Sequence, residues 1–285
     1  MVWLTLVKVG FHVSISGSID LAVDRARDSG YDTFQIFTRN PRGWKYTALE
    51  LEKVKNFKAK LKQAKIGPPI DHMPYLPNLS CPEQEIYEKS VATLVAEVER
   101  CVQLGIPYIV THLGSHLGLG RDIGLQRITD ALNLALRKAR GNLRVLLENM
   151  AGQKNSMGST FQDVREIMDG VKRKDRIGVC FDTAHAYAAG FDLHTEKGIE
   201  QTMLKFDDMI GFENLKVVHL NDSKGGQGSG LDRHEHIGMG YIGEKGFKAI
   251  LHHKTIRGLP MILETPVDDR CDDQGNLAMV RKLGS

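Results

Sequence analysis

Eight times along the chain a short apolar run gives way to a longer segment whose apolar residues recur at helical spacing, and no linker interrupts the series. The runs fall at residues 7–13, 33–37, 69–72, 108–111, 145–147, 177–181, 215–220 and 261–263. Each is short and made mostly of β-branched or apolar residues, as a strand buried on both faces requires. The helical patterns between them run over 19–29, after Thr47 with Leu51, Val54, Phe57 and Leu61 on one face, and from Cys81-Pro82 to Gly105. Others cover 124–139, a segment opened by Thr160 with Asp163, 196–209, 246–251 and 277–282. Strict strand–helix alternation predicts an α/β fold with a parallel sheet, and eight repeats without a boundary predict a single-domain (β/α)8 TIM barrel over residues 1–285. A doubly wound sheet is disfavoured, because no G-x-G-x-x-G follows a strand and opens a helix.

Length and composition agree with one large core: 285 residues, 41% hydrophobic. The net charge of +3 is too small to identify a nucleic-acid partner, although a sum hides a basic patch on one face. Cys81, Cys101, Cys180 and Cys271 are far apart and form no C-x-x-C pair, which fits free thiols in a reducing compartment. The apolar opening MVWLTLVKVGF runs straight into a strand pattern and reads as the first strand rather than a leader. No apolar run is long enough to span a bilayer, so the expected setting is intracellular: cytoplasmic in a prokaryote, nuclear or organellar in a eukaryote.

In such a barrel the C-terminal strand ends build the active site. The residues there are His12, the Thr38-Arg39-Asn40 loop, His72, His112, Glu148, Asp182 with His185, His219 with Asp232 and His234, and Glu264. Seven of eight exits carry a histidine or a carboxylate, a bias that scattered surface charge would not produce. Asp232 and His234 are two residues apart and share a face if extended; Asp182 and His185 straddle a strand-to-helix turn, placed either to clamp one ion or to serve two. Glutamates directly after the apolar runs LLE and ILE would be costly to bury without a cation. His116, out in a glycine-rich loop, reads as a surface residue. Five imidazoles and four carboxylates suit zinc, and nine ligands exceed the needs of one tetrahedral ion, leaving room for two or three.

The segments HMPYL (72–76), HLGSH (112–116), LLENMAGQ (146–153), VCFDTAHAYAAGFDL (179–193), HLNDSKGGQGSGLDRHEHIGMGYIG (219–243) and ILETP (262–266) occur in an order that resembles the endonuclease IV family of zinc-dependent apurinic/apyrimidinic DNA endonucleases. The resemblance runs from FHVSISGS to the last strand. It implies a xylose-isomerase-like barrel, a monomer, and a trinuclear zinc centre. His72, His112 and Glu148 would take the first ion. Glu148 would bridge to a second, held also by Asp182, His219 and Glu264, and His185, Asp232 and His234 would take the third. It further implies duplex DNA with abasic or 3′-blocked sites as substrate, with Arg42 in FTRNPRGW and Tyr75-Leu76 entering the minor groove.

The expected chemistry follows from zinc, which makes hydroxide available near neutral pH. Attack on the phosphorus 5′ to an abasic site would leave a 3′-hydroxyl and a 5′-deoxyribose phosphate, with Glu148 and Glu264 as the catalytic carboxylates, and 3′-end phosphodiesterase or phosphatase activity would accompany it. His12 is expected to orient ligands rather than bind metal. Lys224 and Arg233 flank the zinc loops, where a phosphate contact and a plain surface role are equally open. The second class of function is a divalent-metal sugar isomerase of the same barrel, and the third a non-catalytic zinc or DNA binder. Five histidines weigh against the isomerase, since such sites lean on carboxylates.

Overall fold

Every apolar run read as a barrel strand forms one in the computed structural model, which describes residues 7–45, 47–138 and 140–285. The strands are β1 Lys8–Phe11, β2 Phe34–Ile36, β3 Pro69–His72, β4 Tyr108–Thr111, β5 Arg144–Glu148, β6 Ile177–Asp182 and β7 Leu215–His219. A two-residue antiparallel pair follows, β8 Asp222–Ser223 with β9 His234–Glu235, and then β10 Pro260–Leu263. The eight barrel strands pair in parallel in the order β1-β10-β7-β6-β5-β4-β3-β2. Between β1 and β2 the ladder thins to the bridge His12↔Gln35, the bond from Val13 N–H to Gln35 O at 2.7 Å, and the bond from Asp32 N–H, just before β2, to Val9 O at 2.9 Å. Gly10 permits this approach, because a Cβ there would lie 1.7 Å from the Thr33 carbonyl oxygen. The result is a (β/α)8 barrel with one thin seam.

The helices are α1 Leu21–Asp28, α2 Leu51–Ala64, α3 Gln84–Leu104, α4 Arg121–Lys138, α5 Phe161–Gly170, α6 Thr183–Ala188, α7 Glu196–Met209, α8 Gly243–His252 and α9 Asp273–Gly284. Local chemistry sets several ends. The Thr160 hydroxyl accepts from Asp163 N–H at 3.1 Å and caps α5, and α3 stops at Gly105 in the left-handed region. Thr47 precedes α2 as expected, and the residue at the helix cap is Glu50 in extended conformation. The short α6 is not visible in the periodicity because all six of its residues are buried, so it shows no polar face. Residues 1–6 of the expected first strand, and Ala139 at the expected end of the fourth helix, lie outside the described residues.

Two apolar layers build the core. The larger lies between barrel and helices, and holds the outward-facing strand residues such as Ile109, Val145, Leu147 and Val218. The smaller fills the barrel itself and consists of Ile70, Val110, Leu146, Cys180, Val217 and Ile262, every one fully buried. Cys81, Cys101, Cys180 and Cys271 are all free thiols.

Candidate metal centre

Strand geometry places the site. Side chains two residues apart point to the same face, so whatever follows an interior residue by two also points inward, one step nearer the C-terminal rim. The six barrel-filling residues are followed at that interval by His72, His112, Glu148, Asp182, His219 and Glu264. One layer of the barrel is therefore aliphatic or thiol, and the next is wholly imidazole and carboxylate. The other three groups arrive by local structure. Asp182 caps α6 by accepting from His185 N–H at 2.7 Å, which turns the His185 ring back over the rim. Asp232 and His234 are delivered by the loop between β8 and β9 and by the first residue of β9.

The nine groups meet around Glu148, whose carboxylate is fully buried. Its Oε2 lies 3.2 Å from His72 Nε2 and 3.1 Å from His112 Nε2, and its Oε1 lies 3.0 Å from His219 Nδ1 and 3.4 Å from His185 Nδ1. His219 Nδ1 is also 3.5 Å from Glu264 Oε2 and 3.9 Å from Asp182 Oδ2. His185 Nε2 is 3.1 Å from Asp232 Oδ1. Among the described residues, three sets have ligand atoms mutually within 4.8 Å, as a shared ion requires: His72, Glu148 and His219; Asp182, His185 and His234; and Glu148, Asp182, His219 and Glu264. His112 and Asp232 stand beside these sets through Glu148 and His185. Asp182 belongs both to the set with His185 and His234 and to the set with Glu148, His219 and Glu264, so either arrangement its spacing with His185 allowed stays open.

Two features show that the pocket suits cations. His234 Nε2 is buried, has no hydrogen-bond partner among the described residues, and points at Asp182 Oδ2 3.7 Å away. An unpaired buried ring nitrogen is costly, and a divalent ion between it and the carboxylate removes the cost. Protonation tells the same story. Burial opposes charge on Glu148, yet His219 and His112 hold it well below the usual carboxylate range. Burial likewise opposes protonation of His185 and His219, yet the surrounding groups push both well above the ordinary imidazole value, Asp182 first for His185, and Cys180 ahead of Glu264 and Glu148 for His219. Glu264 is depressed to about 2, its burial outweighed by His219 and His72. The cage is thus rich in negative charge that protons, or metal ions in their place, must balance.

Amides not foreseen from the sequence orient this cage. Gln35, fully buried in β2, accepts from His219 Nε2–H at 2.9 Å and donates to Glu264 Oε1 at 2.7 Å, with His12 Nδ1 3.2 Å from the same amide nitrogen. Asn221 donates to Asp182 Oδ2 at 2.8 Å and accepts from Glu264 N–H at 2.8 Å. Asn149 accepts from Asp182 N–H at 2.8 Å, and Gln153 donates to Asp232 Oδ2 at 2.9 Å. Such second contacts fix direction: with Nε2–H donated to Gln35, His219 turns its Nδ1 toward Glu148.

Comparison with known proteins fits this geometry. A family profile described as a xylose isomerase-like TIM barrel matches residues 23–283. A probable endonuclease 4 from Methanoculleus marisnigri is 56% identical over 279 residues, covering 98% of this chain and 99% of the relative. One from Nitrosopumilus maritimus is 51% identical, covering 97% of this chain and all of the relative. The crystal structure of endonuclease IV from Thermus thermophilus superposes with a TM-score of 0.87 at 36% identity, over 97% of this chain and 98% of that one. The chain belongs to the endonuclease IV family. Sugar epimerases share only its fold, as in a D-tagatose 3-epimerase-like protein at 18% identity and a TM-score of 0.69.

The remaining residues singled out in this endonuclease IV family member fall at and around the rim. Tyr75 and Leu76 are 64% and 42% exposed, and the Tyr75 ring lies 5.1 Å from Phe37 and 6.1 Å from His72, beside the cage. Burial of part of the ring and the nearby Glu264 and Glu148 push the Tyr75 hydroxyl up to about 12, so it stays protonated. Arg42 is exposed on a loop anchored from below. Arg39 donates to buried Glu97 on α3 at 2.7 Å and to Gly43 O at 2.8 Å, while Arg100 donates to Thr38 Oγ1 at 2.8 Å and Thr47 O at 2.8 Å. His116 accepts from Gly118 and Gly120 N–H at 3.2 Å each, and so organises its own loop. Lys224 and Arg233 are exposed, and Arg233 bonds the Asp232 carbonyl at 2.8 Å.

Proposed function

We propose that this chain is a zinc-dependent endonuclease that cuts duplex DNA at the phosphodiester 5′ to an abasic site, leaving a 3′-hydroxyl and a 5′-deoxyribose phosphate. The same centre would trim 3′-blocking groups. The observation that carries this is the complete inward layer of His72, His112, Glu148, Asp182, His219 and Glu264, joined by His185, Asp232 and His234, in a member of the endonuclease IV family.

Three ions would be held as the family resemblance implies: one by His72, His112 and Glu148, one by Glu148, Asp182, His219 and Glu264, and one by His185, Asp232 and His234. Zinc bound there supplies Lewis acidity, lowers the pKa of water toward neutrality and neutralises phosphate charge. The chain's own groups do the rest. Glu148 offers one oxygen to His72 and His112 and the other to His219 and His185, so it is placed to bridge. Glu264, held from Gln35 and Asn221, keeps Oε2 directed at the His219 side of the cage. Tyr75 and Leu76 present exposed rings and methyls at the rim, where an apolar wedge can enter a base step beside an abasic gap. Arg42 supplies a cation on a clamped loop.

The isomerase alternative loses ground. The proteins of that activity share the barrel at under 25% identity, whereas the high-identity relatives are named as endonucleases. Metal analysis together with incubation on an abasic-site duplex and on a ketose decides the matter. Bound zinc with a nick 5′ to the lesion is expected; sugar turnover without a nick would overturn the assignment.

A further inference from the structure

The barrel end opposite the cage carries a concentration of positive charge that the DNA-cutting reaction does not use. Residues 137–144 (RKARGNLR) and 172–176 (KRKDR) hold eight Lys and Arg against one acid, Asp175, in a chain whose total is only +3. The first segment closes α4 and enters β5, and the second enters β6, so both lie at the N-terminal ends of strands whose C-terminal ends are Glu148 and Asp182. The two segments converge on one concavity of about 680 Å³, whose wall includes Asn133, Arg137, Arg140, Lys172, Arg173 and Arg176, and no carboxylate.

The cavity has a built floor and free walls. Arg176 is 2% exposed, and donates to the carbonyls of Leu143 at 3.0 Å and Leu136 at 3.3 Å. Asn133 braces the wall, donating to Gly170 O at 3.1 Å and accepting from Lys172 N–H at 2.8 Å. Arg173 is held by Asp175 at 2.8 Å. Arg137, Arg140 and Lys172 are exposed and have no side-chain partner among the described residues. Mutual repulsion is felt: burial and then Arg173 lower the proton affinity of Arg176, and burial and then Arg144 lower that of nearby Lys216. Like charges gathered around one concavity raise the local potential and attract an anion able to meet several at once. Forked guanidiniums favour phosphate.

We infer that this cavity binds clustered phosphate groups, at the end of the barrel away from the metal cage. The shared chemistry is the phosphate oxyanion, whether as free phosphate or as the backbone of a nucleic acid. The inference does not depend on the metal centre or on its reaction. In use, a second phosphate-binding end would let the protein hold undamaged duplex on one side while its rim engages another.

The test is site-resolved. The amide spectrum of the zinc-loaded full chain is followed at low salt during titration with inorganic phosphate and, separately, with a short undamaged duplex. Shifts of the Gly141, Asn142 and Lys172 amides with phosphate identify a free-anion site, and shifts with the duplex alone identify a nucleic-acid backbone site. In the triple variant Arg137→Ser, Arg140→Ser, Lys172→Ser, whose substitutions are all on exposed side chains, affinity at these amides is expected to fall roughly tenfold or more, with a shallower salt dependence. Amides that stay still under both titrants, or that shift equally in the variant, would overturn the inference.

Discussion

Gln35 and His219 are 184 residues apart in sequence and meet at 2.9 Å, amide oxygen to ring Nε2. The same side chain's amide nitrogen donates to Glu264 at 2.7 Å, so one uncharged group sets the tautomer of an imidazole and the direction of a carboxylate in a single set of candidate metal ligands.

Gln35→Leu keeps the volume and removes both contacts. Zinc affinity is expected to drop about 10- to 100-fold while the barrel stays folded. Chelator competition on wild type and variant measures this, with circular dichroism as the control; equal zinc retention would show that Gln35 does not position the cage.

Glu264→Gln removes a charge that His219 and His72 stabilise and leaves the shape intact. The turnover number on an abasic duplex should fall by about two orders of magnitude or more, with little loss of melting temperature. Near-normal kcat would take Glu264 out of the chemistry.

Much of this site is legible in the sequence. The six strand exits that carry His72, His112, Glu148, Asp182, His219 and Glu264 stand at the ends of short, mostly apolar runs, and the period of two that places them inside can be read without coordinates. Asp182 and His185 are separated by a helix-capping interval. Gln35, Asn149 and Asn221 are not legible in the same way. An amide is common in strands and loops, its spacing carries no signature, and its role depends on which distant carboxylate or ring closes against it. The Arg39–Glu97 pair is hidden for a related reason. Glu97 lies in the middle of α3, where a carboxylate ordinarily faces water, and only the packing of that helix under the 38–47 loop buries it.

Breaking that pair gives a separate prediction. Glu97 is fully buried and also bonds the Thr38 hydroxyl, so Glu97→Ala removes the buried carboxylate that pairs with Arg39 and should cost about 3–5 kcal/mol of stability. Glu97→Gln retains hydrogen-bonding shape and should raise KM for damaged duplex through the Arg42 loop with little change in kcat or zinc content. Denaturant melts and steady-state kinetics separate the two effects; an unchanged KM would detach the clamp from DNA binding.

A pH dependence follows from His12. Burial, with the neighbouring His72 and His219 acting in the same direction and Glu264 against, lowers it to about 4 from an ordinary value of 6.5. Between those values the unfolded chain binds a proton that the folded one refuses, so this residue's contribution to stability is complete above pH 6.5 and declines as pH falls toward 4, by at most about 1.4 kcal/mol per pH unit. Bound cations push in the same direction. His12→Asn should flatten the acid side of the melting-temperature profile, and parallel profiles for the two proteins would contradict the assignment.

The seam between β1 and β2 gives the barrel a preferred place to part. Eight-stranded closure there rests on the His12↔Gln35 bridge and the bonds from Val13 N–H to Gln35 O and from Asp32 N–H to Val9 O. A transient opening along that line lifts Gln35 away from His219 and Glu264 while the six-strand wall from β3 through β10 stays zipped. Heat inactivation should therefore begin as leakage of metal from an otherwise folded molecule, and excess zinc in the storage buffer should protect activity at temperatures well short of melting.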